Sequence, residues 1–460
     1  MPYSRQTADK SGHAEFVRNP DVQAFLKQCT YLREPSDSEA GNIVASYSPA
    51  PAGQPARLPE FVVASDASKS DSPIGDKLPS TQFGFIKVSH VLIVMAKYQE
   101  LIDPKSRFVD PFKVAEMHRN AQPITFVLPG SNIKYHNAPT VRDGFRKAVY
   151  DQLAANRRTG ANRIVLSETL LMLNDNQLPI ANCPSVTCKK EIGHLVFTVQ
   201  QPTHPCPHCG KTVYVTDWLR LHEGISDFGD NASAMTRMMN AVEHLLLGAF
   251  MLEMLQGNPM ALTKVAFVMD GPLALFGEPA KLHPRIMKLM HQVNEKLARL
   301  GQEPLLVIGL QKTGIVMDHG RLMQRFLEKA YPRQGVLRVI DDTYRNDYIT
   351  GSDDPAENFG HESYYGQDFL FKTETGRIFN FALPYPFAAK DGSRADFAAR
   401  KVELARYGSL LERACDLIRY FELDLYSDAI VPVALAHRHA SISLEPGGRV
   451  LDLMAREGLR

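Results

Sequence analysis

Four of the six cysteines in this chain of 460 residues come as two close pairs. Cys183-Pro-Ser-Val-Thr-Cys188 is followed by Thr203-His-Pro-Cys206-Pro-His-Cys209-Gly-Lys, with a β-rich stretch, 192–200, between the pairs. A cysteine pair on a turn offers two sulfurs from one knuckle, and two such pairs complete the tetrahedron that zinc prefers. The glycine after the second pair suits a knuckle, where backbone near the sulfurs takes positive φ. Reduced core cysteines are the alternative reading, and His204 and His208 are available as substitute ligands. A closed four-ligand site leaves no open position for chemistry, so zinc here is expected to be structural. Cys29 and Cys415 stand alone and read as inert core residues.

Carboxylates supply the second set of candidates. Phe61-Val-Val-Ala-Ser-Asp66-Ala-Ser-Lys69 ends an apolar run with an acid followed by small residues, which let a phosphate backbone approach. Val265-Ala-Phe-Val-Met-Asp270-Gly-Pro-Leu ends a buried strand in Asp-Gly. Strand ends of α/β folds collect functional groups, although Asp-Gly is also a common turn dipeptide. Between these acids lies an apolar helix in which Asn240, Glu243 and His244 are polar intrusions. They either reach its solvent face or serve a site, and Asn240 and Glu243 share a face at three-residue spacing. Three separated carboxylates are what hard divalent cations such as Mg²⁺ and Mn²⁺ take as oxygen ligands for phosphodiester hydrolysis.

Two further stretches carry polar groups in comparable settings. Leu305-Leu-Val-Ile-Gly-Leu-Gln-Lys312 ends a buried strand with a lysine, placed either to meet a phosphate as a point charge or simply to lie on the surface. Near the C-terminus, Tyr426, Asp428, His437, Arg438 and His439 surround an apolar stretch. A lone histidine there would be structural, whereas the His-Arg-His cluster favours phosphate contact or proton transfer.

The elements that must position these groups follow from hydrophobic period. Strands are expected at 83–95, 124–128, 163–173, 265–270, 305–310, 337–341 and 377–383. Helical spacing runs through 111–119, 142–153, 234–256, 281–300, 320–329 and 395–421, which gives an α/β class with a mixed sheet. Residues 1–60 read as a short helix, 20–32, and a Ser/Pro/Ala/Gly-rich linker, Ser48-Pro-Ala-Pro-Ala-Gly-Gln-Pro55. The globular part then divides into 61–160, a cysteine-bearing insertion at 161–224, and 225–460.

Composition narrows the class. With 52 Lys+Arg against 51 Asp+Glu the net charge is +1, which excludes a histone-like basic body and an acidic tail protein. At 44% hydrophobic and 22% charged, the chain reads as a soluble globular protein of about two to three domains. The longest apolar run, 245–252, falls short of the roughly 18 to 20 residues of a membrane span. The first ten residues lack the apolar core of a signal peptide, so the cytoplasm is the expected compartment.

Taken in order, these motifs resemble the NurA family of nucleases from about residue 61 onward. The resemblance lies in Asp66-Ala67-Ser68, a helix carrying a glutamate before Asp270-Gly271-Pro272-Leu273, the Gly-x-x-Lys of Gly309 to Lys312, Tyr426, and Ala436-His437. It implies an RNase H-like mixed sheet flanked by helices, here with an inserted β-rich zinc ribbon, and manganese- or magnesium-dependent DNA cleavage. It also implies a homodimer working with a HerA-type hexameric ATPase in DNA end resection, with repair and antiviral defence both open as settings. By position, Asp66, Glu243 and Asp270 would bind the metal ions, Tyr426 and His437 would assist at the scissile phosphate, and Lys312 and Arg438 would touch DNA. Glu253 competes with Glu243 as the helix ligand, and Glu243 is preferred for its Asn240 and His244 neighbours. The alternative function is a non-catalytic zinc-ribbon protein that clamps DNA or an ATPase. An enzyme of small phosphorylated metabolites ranks last, because no Gly-rich phosphate loop is present.

Overall fold

The computed structural model describes residues 16–29, 35–54, 58–71, 74, 81–99, 123–155, 165–351, 359–422, 430–442, 451 and 454–455. The expected helix at 111–119 and Tyr426 lie outside the described residues.

A nine-stranded mixed sheet organises the chain. Its strands are β1 (Ser48–Pro49), β2 (Phe61–Ser70), β3 (Phe83–Val94), β4 (Ile124–Pro129), and, after two two-stranded hairpins, β9 (Val265–Asp270), β10 (Leu306–Gln311), β11 (Val336–Val339), β12 (Gly366–Lys372) and β13 (Ile378–Pro384). The hairpins are β5 (Leu178–Asn182) with β6 (Glu191–Phe197), and β7 (Thr203–Pro205) with β8 (Thr212–Tyr214). The sheet order is β1-β11-β12-β13-β10-β9-β2-β3-β4. β2, β9 and β10 are parallel neighbours, and every other pairing is antiparallel. The central parallel strands read as near-continuous apolar runs because both of their faces are covered.

Side chains alternate across these strands, so the two faces build two cores. Phe61, Val63, Phe267 and Met269 face the helices Ala232–Gly257, His283–Arg299, Val141–Ala154 and Leu166–Leu173. Val62, Ala64, Ala266 and Val268 face the helices Ser409–Phe421 and Val431–Ala440. The helix Ala232–Gly257 is long and apolar enough to cross a membrane, yet 61% of its most apolar window is buried inside the protein. It is a core helix, and its intrusions Glu243 and His244 are buried rather than on a solvent face.

Four expectations change, the first being the single helix expected over 395–421, which is two helices, Arg394–Lys401 and Ser409–Phe421, parted at Gly408 with φ 50°. Residues 166–173 form a helix rather than a strand. Leu166, Leu170 and Leu173 bury together against the core, and a short apolar run cannot be told from a strand by period alone. The stretch expected as a linker begins with β1, paired to β11, and the helix Asp37–Ala45 before it buries Ala40 and Ile43. Cys29 is exposed, while Cys415 is in the core as expected.

The cysteine-bearing hairpins are fastened to the main body by Arg146 of Val141–Ala154. Its guanidinium donates to both carboxylate oxygens of Asp217, at 2.8 and 2.7 Å, and to Thr212 O at 2.8 Å. Both members of the ion pair are almost fully buried, where such a fork is held by its second hydrogen bond as much as by charge.

Candidate active site

The parallel strands β2 and β9 stay in register only as far as Ser65 opposite Met269. Asp66 and Asp270 come one residue later, where the β2–β9 ladder stops: Asp270 is the last residue of β9, while β2 runs on to Ser70 paired with β3 alone, so a crevice of the kind found at strand ends in α/β sheets opens between them. Both continue the alternation that faces Val431–Ala440. Asp270 leads into Gly271 at φ 126°, whose N–H donates to Leu310 O at 2.8 Å. A Cβ on Gly309 would stand 2.7 Å from Gly271 O, so the turn lies against β10 only because residue 309 is glycine. Asp-Gly is thus both a turn and a site element here.

The helix Val431–Ala440 packs across β2, β3 and β9 and brings in His437. Ser68 Oγ donates to Ala440 O and ties the helix end to β2. His437 Nδ1 lies 2.8 Å from Asp66 Oδ2 and 4.0 Å from Asp270 Oδ2, with the side chain 56% exposed. Asp66, Asp270 and His437 form a group whose ligand atoms all lie within 4.8 Å of one another. Two carboxylates and an imidazole suit Mn²⁺ or Mg²⁺, which take oxygen ligands, with the imidazole favouring the manganese end.

Glu243 approaches from the other face of the sheet. It is 7% exposed, and Ser65 Oγ donates to its Oε1 at 3.0 Å. Burial pushes its carboxyl up to about 8, the Asp66 charge adds to the rise, and the Ser65 bond opposes it. Burial and then Asp66 likewise push Asp270 up to about 6, against Lys312 and His437. Burial and the Asp66 charge thus raise Glu243 and Asp270 despite Lys312 and His437, and a divalent cation would supply further positive charge. Lys312 Nζ already meets Asp270 Oδ2 at 2.6 Å. It therefore neutralises a site acid rather than lying free on the surface. Glu253, ten residues beyond Glu243, stands about 15 Å further along the helix axis, and neither glutamate belongs to the group of Asp66, Asp270 and His437.

Arg438 is exposed beside His437. His439 is held below its usual value by burial first and then by Lys87 and Arg438, so positive side chains gather at this end of the helix. Ser65 and His90 are the site residues that sequence reasoning passed over. Ser65 lay inside the Phe61–Lys69 motif as one of its small residues. His90 sits opposite Ser65 in the β2–β3 register, with Nε2 3.4 Å from Ser65 Oγ and its ring edge-on to Phe250 at 5.1 Å. Pairing β2 with β3 as a hairpin is the signal that would have found it.

The four paired cysteines converge as well. Cys183 and Cys188 flank the turn between β5 and β6, and Cys206 and Cys209 flank that between β7 and β8. Sγ–Sγ distances are 3.8 Å for Cys183–Cys209 and 4.0 Å for Cys188–Cys206, and all four sulfurs lie within 4.8 Å of one another, a group that could hold a metal ion. Gly210 takes φ 70° after the second pair. Both histidines point their nitrogens elsewhere: His204 Nε2 to Val196 O at 2.9 Å, and His208 Nε2 to Glu191 O at 2.9 Å.

No family model matches the chain, and no curated protein does. Among solved structures, the NurA nuclease from Sulfolobus solfataricus is 9% identical, with 98% of this chain and 97% of that chain covered and a TM-score of 0.37. A second NurA structure is 9% identical at a TM-score of 0.31, with 98% of each chain covered. A NurA bound to dAMP and manganese is 10% identical at 0.28, with 97% of this chain and 96% of that chain covered. Overlap of this extent carries no residue across by superposition, so the site stands on its own geometry. The chain is similar along nearly its whole length to solved NurA nuclease structures, the family its ordered motifs resemble.

Proposed function

We propose that this chain is a divalent-metal-dependent DNA nuclease built on an RNase H-like core. The observation that carries the reading is the convergence of Asp66, Asp270 and His437 where the β2–β9 ladder stops, with Glu243 raised by burial and then by the same two acids. The order β4-β3-β2-β9-β10, three antiparallel strands followed by two parallel ones, supports the RNase H-like core, with β13, β12, β11 and β1 as its extension. Asp66 and Asp270 would hold Mn²⁺ or Mg²⁺, with Glu243 completing the acidic set. A bound cation of this kind makes a nucleophile from water at neutral pH and stabilises the leaving oxygen.

The remaining roles fall to the chain's own side chains. His437, its Nδ1 tied to Asp66, presents its other nitrogen outward, where it steers a proton at the scissile phosphate. Lys312 holds Asp270 in place and shares its charge with the phosphate, and Arg438 contacts the DNA backbone. Tyr426, by the family resemblance, would assist at the scissile phosphate. The enzyme works as a homodimer with a HerA-type hexameric ATPase that feeds it DNA ends, in repair or in defence.

The cysteine group is a structural zinc site in this reading. A tetrahedron with Zn–S bonds of about 2.3 Å has edges of about 3.8 Å, which the two close sulfur pairs match. Although burial raises it, the Cys206 thiol is brought down to about 6 by the backbone N–H groups of Cys209 and His208, which readies a thiolate ligand. The fastened hairpins would then guide DNA or dock the ATPase.

The test is cleavage of labelled single- and double-stranded DNA in Mn²⁺, Mg²⁺ or EDTA, wild type beside Asp270→Asn. Metal-dependent cleavage that the variant loses supports the reading. Equal cleavage by the two proteins would end it. If neither protein cuts, the assay is repeated with a HerA-type ATPase, and failure there too hands the chain to the clamp reading.

A further inference from the structure

The loop that starts at Asp270 carries an exposed ring. Phe276, six residues on, is 45% exposed, yet its backbone is held by one side chain from the helix Ala232–Gly257. Asn240 Nδ2 donates to Ala274 O at 3.3 Å, and the Phe276 N–H donates to Asn240 Oδ1 at 3.4 Å. The same loop is pinned from its other side: Leu275 N donates to Ser363 O at 3.0 Å and Tyr365 N to Leu273 O at 2.8 Å. The Phe276 ring meets Tyr364 edge-on, with centroids 5.8 Å apart at 84°.

A single exposed phenylalanine is ordinary on a protein surface. The clamp sets this one apart. Asn240 stands one helical turn before Glu243 on the same face, with Cβ atoms about 5 to 6 Å apart, so the Phe276 backbone lies within about 10 Å of the Glu243 side chain. The ring is therefore exposed on a pinned loop that leaves β9 at Asp270 and passes near Glu243. Arg237, the nearest cation on that helix, is ion-paired with Glu278, so the loop offers a ring face rather than a charge.

The geometry points to Phe276 as a stacking platform for an unpaired nucleobase of the DNA strand that enters the acidic site. This rests on the nuclease reading. Stacking on an aromatic ring tolerates any base, because every base has a π face. Bases inside a duplex are already stacked on their neighbours, so the platform selects a single-stranded stretch beside the cleaved phosphate.

The test compares wild type, Phe276→Ala and Phe276→Trp for binding a fluorescein-labelled oligothymidylate in EDTA, followed by anisotropy. Loss of one stacked base weakens binding by about tenfold or more in the alanine variant, and tryptophan retains it. In cleavage, KM for single-stranded DNA rises by a like factor with kcat little changed. An abasic nucleotide at the stacking position brings wild type down to the alanine variant and leaves that variant unaffected. Thermal unfolding stays at the wild-type temperature, since the ring is exposed. A wild type that cleaves DNA while Phe276→Ala binds and cleaves equally well overturns the platform alone, whereas a wild type that neither binds nor cleaves DNA, by itself or with a HerA-type ATPase, overturns both readings. A variant that changes the sedimenting mass instead of the DNA affinity makes the ring a subunit contact and also overturns the proposal.

Discussion

Lys312 Nζ stands 2.6 Å from Asp270 Oδ2, so the residue just past β10 occupies ground that a metal cation would share. The pair is partly shielded from water, and Lys312 lowers the proton affinity that burial and Asp66 impose on Asp270. In the metal-free protein the lysine therefore substitutes in part for the cation.

Replacing that lysine separates its two effects. Lys312→Gln is expected to destabilise the metal-free protein by about 1 kcal/mol, because a partly buried acid loses its partner. The same variant should be stabilised more by Mn²⁺ than wild type is, since the cation then meets no competing ammonium. Thermal unfolding with and without Mn²⁺ measures both, and equal Mn²⁺ shifts in the two proteins would count against a cation at Asp270.

Glu243 makes stability fall as pH rises. Its folded carboxyl sits at about 8, above its ordinary value of 4.5, so the folded state binds more protons than the unfolded state between those limits. That contribution is fully present below pH 4.5 and is lost as pH rises through 8. Buried His222, held down to about 4, and Lys390, held down to about 7, act in the opposite sense. They titrate alike in wild type and Glu243→Gln, so they cancel in the difference between the two proteins, which reports Glu243 together with its coupling to Asp66 and Asp270. Metal-free Glu243→Gln is expected to gain on wild type by an amount of the order of a few kcal/mol between pH 6 and 9, read from urea unfolding. A difference that does not vary with pH would mean that Glu243 titrates near its ordinary value.

The cysteine group predicts a metal content. Purified protein should carry one zinc per chain by elemental mass spectrometry, and Cys206→Ser should lose it together with part of the stability of the two hairpins. Retention of zinc by that variant would exclude the four-sulfur site.

Asp66, Asp270 and the cysteine pairs were legible in the amino-acid sequence because each is a local feature: an acid at the end of an apolar run, or two sulfurs on one turn. The α/β class and the long apolar helix were legible for the same reason, since hydrophobic period is read within a window of a few turns. The helix Leu166–Leu173 was not, because a short apolar run satisfies strand and helix alike.

Only tertiary structure decided which faces meet. It buried Glu243 against Ser65 instead of leaving it in solvent, and it set Lys312 against Asp270. It brought His437 to Asp66 across 371 positions of chain. It also placed His90 opposite Ser65 through the strand register. The physical reason is common to all four: such contacts depend on register and on packing between distant segments, and a residue type carries no record of what the sheet will fold against it.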